Sequence, residues 1–204
     1  MKKILIMAVA AMMATVGAKA QHKEGETTFQ PRVGITMSDV TNLEDSKMKV
    51  NVTYGVDFEY FATDQLSIGA GVLFTDQGAT IEDDSEKYKM NVYYTAFPIT
   101  ANYYVLPGLA IKAGVQPAYR VKARMEHDGQ RIDMDRALET LLEDDDMKIN
   151  KFDLAIPVGI SYEYNNVVLD ARYNWGLLKV ENIGNAYYNR VFEVTLGYKF
   201  ELDF

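Results

Sequence analysis

The two histidines are the first candidates for chemistry, because imidazole transfers protons readily near neutral pH. His127 precedes Asp128, and a histidine with a carboxylate is the pair that a membrane-barrel hydrolase would use to activate water. Adjacent residues of an extended segment point to opposite faces, however, and a single His-Asp step is common by chance. We therefore interpret His127 as a surface residue. We assign no function to His22, which we expect in a disordered N-terminal segment.

Two acidic stretches have the composition of cation-binding loops, since hard divalent cations prefer clustered carboxylate oxygens. They are IEDDSE at residues 81–86 and LEDDDM at residues 142–147. Neither stretch has the spaced ligands and the glycine of a calcium-binding loop, so both are predicted to be solvated acidic surface. The sequence therefore predicts no catalytic residue, no metal site and no cofactor, and we do not expect an enzyme.

The first twenty residues, MKKILIMAVAAMMATVGAKA, have the pattern of a secretory signal peptide: two lysines, a short apolar run and a small-x-small cleavage site. We expect cleavage after Ala20, which leaves residues 21–204 as one domain. Loss of the three lysines takes the net charge from -8 to about -11. So acidic a chain is a poor candidate for binding nucleic acid, and a chain without cysteine forms no disulfide.

The elements that must position the other charged residues are eight segments with period-two alternation, the period of a β-strand. Short connections follow the second, fourth and sixth segments, and long polar connections follow the first, third, fifth and seventh. This strict alternation is typical of up-and-down outer-membrane barrels. The eight segments span roughly residues 29–38, 48–61, 66–75, 88–105, 109–123, 151–164, 167–177 and 191–204.

The two faces of each segment allow two assignments. One face is continuously apolar with aromatic residues at its ends, and the other carries charges or glycine. In a soluble, lipocalin-like carrier the apolar face would line the interior, whereas in a membrane barrel it contacts lipid and the aromatic residues form girdles at the interfaces. The aromatic strand ends and the long acidic loops favour the membrane barrel. The fourth segment has an ambiguous parity around Pro98, where we expect a bulge.

The polar faces then point into a lumen narrow enough for side chains to fill. A selective pore shows a ring of one charge sign, whereas this nearly balanced set favours paired charges that plug the lumen. We expect Lys112 close to Glu163 near the short turns. At the other end we expect Lys122 or Arg120 close to Asp153. The predicted lumen charges are Arg32, Asp57, Glu59, Lys112, Arg120, Lys122, Asp153, Glu163, Asp170, Arg172, Glu193, Lys199 and Glu201.

The third long connection, at about residues 125–150, contains apolar residues at helical spacing, with Asp133 placed to cap a helix. This pattern predicts a short amphipathic helix. The helix would either fold over the barrel mouth or present a face to a partner, and the sequence supports both roles.

Several stretches together resemble a known family. YYTAFPITANYYV precedes a tight Pro-Gly turn, and LAIKAGVQPAY, PVGISYEYNNVVLDARYNWGL and a terminal LGYKF follow. With the signal peptide, they resemble the small outer-membrane β-barrel family of Gram-negative bacteria often labelled porin family or PorT-like. The block at Gly159–Leu177 contributes most. The resemblance implies an eight-stranded barrel inserted by the outer-membrane assembly machinery, and it implies little about activity.

The last strand, VFEVTLGYKFELDF, has an apolar face and an unpaired edge that something must cover. Lipid on that face and pairing with the first strand, near residues 29–37, would cover both. The strand also resembles the C-terminal signal that the assembly machinery reads. The residues of that predicted assembly signal are Tyr198, Phe200, Leu202 and Phe204.

The sequence thus predicts an all-β, eight-stranded antiparallel up-and-down barrel in the outer membrane, with short periplasmic turns and long external loops. Its expected role is structural or partner-binding, with a plugged lumen. The expected partners are outer-membrane lipid, the assembly machinery and an external partner bound through the acidic loops. A small-solute porin or transporter is the alternative, and a lipocalin-like carrier and a rim-site barrel enzyme have less support.

Overall fold

The structure is a computed structural model, which describes residues 22–40, 46–47, 49–77, 80–83, 86–127, 130–133, 151–179 and 188–202. All regular elements in these ranges are β-strands. Within the same ranges there is no helix with the length and apolar character needed to cross a membrane. The predicted signal peptide lies outside the described residues.

Thirteen strand segments build one closed antiparallel sheet. They are β1 (Thr27–Val40), β2 (Ser46–Lys47), β3 (Lys49–Phe61), β4 (Leu66–Gln77), β5 (Thr80–Asp83), β6 (Glu86–Ala96), β7 (Ile99–Leu106), β8 (Leu109–His127), β9 (Gln130–Asp133), β10 (Phe152–Tyr164), β11 (Val167–Lys179), β12 (Tyr188–Tyr198) and β13 (Phe200–Leu202).

Eight long strands form the barrel wall, and we call each of them a stave. Two of the staves are interrupted: β6 with β7 forms one, and β12 with β13 forms another. Around the wall the order is β10, β11, β12, β1, β3, β4, β7 and β8, and β8 pairs with β10 to complete the circle. The short segments β2, β5 and β9 extend the sheet beyond the wall by pairing with β5, β6 and β8 respectively. The predicted eight-stranded architecture is confirmed.

The first and last strands close the barrel. Ile35 of β1 lies opposite Val194 of β12, and Phe29 lies opposite Phe200 of β13. The predicted pairing of the last strand with the first is therefore confirmed, and it leaves no sheet edge along the seam. Phe204 is outside the described residues, and the role of the last strand as an assembly signal stays a prediction.

The short connections lie together at one end of the barrel, which we call the turn rim, and the long connections leave from the opposite end, the loop rim. The turn-rim connections are residues 62–65, 107–108 and 165–166. Asn165 and Asn166 have φ angles of 47° and 68°, as a two-residue type I′ hairpin turn requires. The asparagine pair therefore terminates β10 and starts β11 without an inserted residue.

The stave formed by β6 and β7, the fourth predicted segment, is interrupted where proline was expected to cause a bulge. Phe97 and Pro98 separate β6 from β7. The Phe97 N–H donates to the Pro117 carbonyl at 2.8 Å, and the Pro98 carbonyl accepts from the Gly71 N–H at 3.0 Å. Pro98 has no N–H to donate, so the regular ladder is broken there. Both segments lie between β4 and β8: β7 pairs with the parts of these strands near the turn rim, and β6 pairs with the parts near the loop rim.

The barrel is apolar outside and polar inside. Large apolar side chains of every stave are about half exposed on the outer face, among them Val33 (56%), Leu169 (51%) and Trp175 (59%). Aromatic residues surround the turn rim: Phe58, Tyr60, Tyr103, Tyr164, Tyr198 and Phe200. A soluble carrier would place its apolar faces inside, so the lipocalin-like alternative is wrong and lipid covers the outer face.

The third long connection begins as a strand hairpin. Asp133, the predicted helix cap, is the last residue of β9 and lies opposite Arg124 of β8. The remainder of the predicted helix, residues 134–148, lies outside the described residues. Asp133 therefore ends a strand in the part of this connection that the structure describes.

Candidate functional site

The candidate site is the polar lumen, which the inward-facing residues of the staves fill. Eleven of the thirteen predicted lumen charges lie on the inward face, buried or half-buried. Lys122 lies opposite Tyr93 at a register shift of β8, which puts it on the other face of the wall, and Glu201 is exposed at the turn rim. The buried ones are Arg32, Glu59, Lys112, Arg120, Glu163, Asp170, Arg172, Glu193 and Lys199. The half-buried ones are Asp57 and Asp153.

Six of these residues form a central cluster with three positive and three negative side chains. Asp170 is among its most enclosed carboxylates, with 1% of the residue exposed. It accepts from Lys112 Nζ at 2.9 Å and from Arg172 Nε at 2.8 Å. Arg32 Nη1 lies 3.7 Å from the same carboxylate. The central cluster comprises Arg32, Lys112, Arg172, Asp57, Asp170 and Glu193.

Arg32 connects the carboxylates of the central cluster. Its Nε lies 3.3 Å from Asp57 Oδ2, and its Nη2 lies 3.2 Å from Glu193 Oε1. Arg172 Nη2 reaches the same Asp57 oxygen at 3.5 Å. Removing charges from water is costly unless each has close opposite partners, and here every guanidinium has more than one.

Gly71 of β4 provides the space for Asp57. A Cβ at position 71 would lie 2.0 Å from Asp57 Oδ1 and 2.7 Å from the Val56 carbonyl oxygen. Glycine lets the carboxylate lie against the wall and point toward the two arginines. The close approach of Asp57 is thus the reason for glycine at position 71.

A second group of residues, the turn-rim cluster, surrounds Lys199 at the turn rim. The Lys199 Nζ lies 2.9 Å from Glu59 Oε2 and 2.8 Å from Glu163 Oε2. It also donates to the Tyr104 hydroxyl at 2.9 Å. One ammonium thus joins two carboxylates and a phenol from three other staves. The turn-rim cluster comprises His22, Glu26, Glu59, Ser67, Asn102, Tyr104, Glu163 and Lys199.

Neutral side chains complete the coordination of Glu59. Its Oε1 accepts from the Tyr104 hydroxyl at 3.0 Å, from Asn102 Nδ2 at 2.9 Å and from the Ser67 hydroxyl. Sequence reasoning missed Asn102 and Tyr104 because the parity of the fourth segment was ambiguous. The alternation of Thr100, Asn102 and Tyr104 against apolar residues in β7 is the signal that identifies them.

The predicted pair Lys112 and Glu163 is not formed, although both side chains face the lumen. Lys112 lies opposite Gly159 of β10, and Glu163 lies four residues further along that strand, about 13 Å away. Lys112 therefore pairs with Asp170, and Glu163 pairs with Lys199. Strand alternation alone does not predict which inward residues lie at the same height.

The predicted pairing at the loop rim is also different for Lys122. Its Nζ lies 3.2 Å from Asp133 Oδ2, a residue of the β9 hairpin that was expected to cap a helix. Asp153 lies opposite Ala118, two residues from Arg120 on β8, and its carboxylate accepts the Leu154 N–H at 2.8 Å. The predicted pair of Lys122 with Asp153 is therefore wrong, and the alternative pair of Arg120 with Asp153 stays a prediction.

His22 was expected in a disordered N-terminal segment, and this expectation was wrong. The residue is buried, its Nδ1 lies 2.6 Å from Glu26 Oε1, and its Nε2 lies 3.0 Å from Glu163 Oε2. Burial lowers the pKa of His22, but the hydrogen bond to Glu163, opposed by the charge of Lys199 and reinforced by Glu26, leaves that pKa above its usual value of 6.5. In the sequence, the only local indication of this pairing is the four-residue spacing of His22 and Glu26.

The other candidates for chemistry fall partly outside the described residues. His127 ends β8 opposite Gln130 of β9, whereas Asp128 is outside the described residues. Residues 81–83 belong to β5, and residues 84–85 and 142–147 are outside the described residues. Within the described ranges, no group of three or more histidine and acidic residues is arranged to hold a metal ion.

Comparison with known proteins agrees with this architecture. A family described as outer membrane protein beta-barrel domain matches residues 19–182. Ail, the attachment invasion locus protein of Yersinia pestis, has 15% identity and a TM-score of 0.52, covering 87% of this chain and 99% of its own. Neisserial surface protein A has 13% identity and a TM-score of 0.51, covering 91% of this chain and 100% of its own. Identities this low show a shared fold alone.

No curated protein matches the chain. The family match covers most of the sequence, and the closed wall with an apolar exterior has the architecture that such a family requires in lipid. The resemblance inferred from the sequence is therefore confirmed, and the protein belongs to the outer membrane β-barrel domain family and resides in the outer membrane.

Proposed function

We propose that the protein is a closed, non-conducting barrel that holds acidic loops at the cell surface for a partner and performs no enzymatic reaction. The central observation is that ionic contacts cross the lumen at two heights. Lys199, on the β12 and β13 stave, touches Tyr104 of β7, which is four staves away around an eight-stave wall. The two residues therefore meet from opposite sides of the barrel.

The central cluster supports closure at a second height. Its six members come from five strands, and Arg172 of β11 reaches Asp57 of β3, three staves away. A hydrated ion passing this level would have to separate buried pairs and leave charges without partners, which costs several kcal/mol per ion pair. A selective pore presents one charge sign, and the balanced cluster does not.

The charge of the long connections supports a cationic partner. Residues 125–150 include nine acidic residues against three basic ones, and residues 76–87 include five against one. Ail has been solved in complex with the heparin analogue sucrose octasulfate, a polyanion. The acidic loops of this chain favour the opposite charge, because like charges across an interface are repulsive.

Conductance in planar lipid bilayers tests closure. Purified, folded protein is expected to give no stable single-channel steps, because paired side chains occupy the lumen at both heights. Stable and sizeable steps from the wild-type protein would contradict the proposal and favour a small-solute porin.

The Arg172→Ala variant provides the matched comparison. It removes a large side chain from the central cluster while the turn-rim cluster stays intact. Insertion of both proteins is checked by the difference in gel mobility between unboiled and boiled samples. Swelling of liposomes in small sugars gives a second measurement, and wild-type protein is expected to leave the swelling rate at that of protein-free liposomes.

A further inference from the structure

The segment at residues 22–26 lies across the turn rim and is tied to the end of β3. The Gly25 N–H donates to the Phe61 carbonyl at 2.8 Å, and the Phe61 N–H donates to the Glu26 carbonyl at 2.9 Å. The Glu24 N–H donates to Asp64 Oδ1 at 3.0 Å. Gly25 has a φ of 85°, a left-handed conformation that glycine adopts without strain. These bonds return the chain so that His22 points into the barrel mouth.

The His22 ring fills the lumen opening at this rim. It stacks on Phe61 with ring centroids 4.0 Å apart and an interplanar angle of 22°. The edge contact with Tyr104 has a centroid distance of 5.4 Å. Phe61 is itself fully buried, so the histidine covers an aromatic side chain that the mouth of the barrel would otherwise expose.

Both ring nitrogens of His22 face carboxylates. Nδ1 lies 2.6 Å from Glu26, and Nε2 lies 3.0 Å from Glu163. An ionised carboxylate only accepts hydrogen bonds, and a neutral imidazole has a single N–H to donate. Only the doubly protonated imidazolium donates to both acids. The arrangement therefore matches a positively charged His22.

We propose that residues 22–26 form a proton-dependent latch that closes the turn-rim mouth, with the His22 imidazolium clamped between Glu26 and Glu163. The latch is an addition to the closed lumen described above and does not depend on whether the barrel conducts. In outer-membrane barrels the short turns face the periplasm. The latch would therefore respond to the pH of that compartment.

Charged groups from every neighbouring element act on the latch. Glu26 and Glu163 attract the imidazolium, and Lys199 opposes it while pairing with Glu163. When His22 loses its proton, Lys199 remains as the only cation in direct contact with Glu163 among the described residues, and Glu26 loses its ionic partner. The remaining groups around this site are Glu59 of β3, Asp64 of the following turn, Tyr104 of β7 and Lys112 of β8.

The direction of the pH dependence follows from the raised pKa of His22. The stabilisation is complete below the usual histidine value of about 6.5 and is lost as the pH rises through the higher value in the folded protein. The segment is thus held while His22 keeps its second proton, and it is released as the pH rises through the folded-state pKa of His22. With one linked proton, the opening equilibrium changes by up to about tenfold per pH unit between the open-state pKa of about 6.5 and the folded-state pKa, and it is constant above the latter.

Nitrogen NMR of the imidazole ring tests the charge state directly. The sequence contains two histidines, so the His127→Gln variant in nanodiscs leaves His22 as the single imidazole. Both ring nitrogens are expected to carry protons at pH 6.5, and one is expected to lose its proton at alkaline pH. A neutral ring at pH 6.5 would overturn the proposal, whatever the conductance of the barrel.

Amide hydrogen exchange tests the closure itself. The protection factors of the Gly25 and Phe61 amides, corrected for the intrinsic pH dependence of exchange, are expected to fall with rising pH. The His22→Gln variant is expected to lose this protection at every pH, and His22→Arg to keep protection that varies less with pH. Lys23→Gln is the matched control, because it removes an exposed neighbouring charge. Protection independent of pH in the wild type, or equal loss in Lys23→Gln, would overturn the latch.

Discussion

At the scale of single residues, the lumen is organised by charges whose partners belong to other strands. Asp170 is held by Lys112 of β8 and Arg172 of its own strand, with Arg32 of β1 nearby. Each arginine of the central cluster is close to more than one acid. Removal of one member therefore leaves the others buried without full compensation, and the cost exceeds that of one exposed ion pair.

The Asp170→Asn variant is expected to lower the free energy of unfolding by about 3–5 kcal/mol, because it leaves buried cations without their carboxylate. Urea unfolding in lipid vesicles measures this change. The single tryptophan, Trp175, lies on the outer face of β11 and reports by fluorescence on its transfer from lipid to water.

Glu201→Gln is the control for Asp170→Asn. Glu201, like Asp170, was predicted to be a lumen charge, but it is exposed at the turn rim. Neutralising it is expected to change the unfolding free energy by less than about 0.5 kcal/mol. Equal effects of the two substitutions would mean that the central cluster does not stabilise the barrel.

At the scale of elements, the tight turns determine where each hairpin begins. Tyr164 lies opposite Val167 across the Asn165 and Asn166 turn, so the register of β10 and β11 starts at the turn itself. The Asn166 side chain also donates to the Lys199 carbonyl at 3.0 Å. This bond connects the hairpin to the stave that carries the turn-rim cluster.

Substitution of Asn165 tests the conformational requirement of this turn. Asn165→Ala is expected to lower the unfolding free energy by about 1–2 kcal/mol, because a residue with an ordinary Cβ is strained at positive φ. Asn165→Gly is expected to change it far less, since glycine adopts this conformation freely. The same urea titration compares them. Equal destabilisation by alanine and glycine would instead indicate that the Asn165 side chain supplies the stability.

At the scale of the whole molecule, three regions differ in chemistry. The exterior is apolar, the lumen is polar, and the long connections at the loop rim are acidic. The outer face requires lipid, and the lumen pairs its charges internally at two heights. The excess negative charge is thus concentrated in the long connections, which we propose as the site for an external partner.

The protein in nanodiscs is expected to bind polylysine and not sucrose octasulfate, with affinity for polylysine falling as salt is added. Neutralising Glu143, Asp144, Asp145 and Asp146 together to their amides is expected to weaken binding severalfold. Neutralising Glu24 and Glu201, which are exposed at the turn rim, is the control. Preferential binding of the polyanion would contradict a cationic partner.

Much of the fold was predictable because it depends on local pattern. Period-two alternation located the eight staves, and the distribution of aromatic residues and loop lengths identified the membrane barrel and its closing seam. The interruption between β6 and β7 followed from the missing N–H of Pro98, whereas the register shift of this wall strand lies at Tyr93 and Tyr94 and not at the proline. Most inward-facing residues followed from the same alternation. Asn102 and Tyr104 were not predicted, because the parity of the fourth segment was ambiguous.

The sequence by itself therefore determined the class of barrel and which side chains face the lumen, because strand periodicity and turn chemistry are properties of short segments. Only the tertiary structure decided the partners. Lys112 binds Asp170 and not Glu163, because the relative register of strands determines the height of each residue. His22 enters the barrel mouth because Glu163, 141 residues away, is brought there when the wall closes. Such contacts have no local pattern, since chain closure and not sequence spacing produces them.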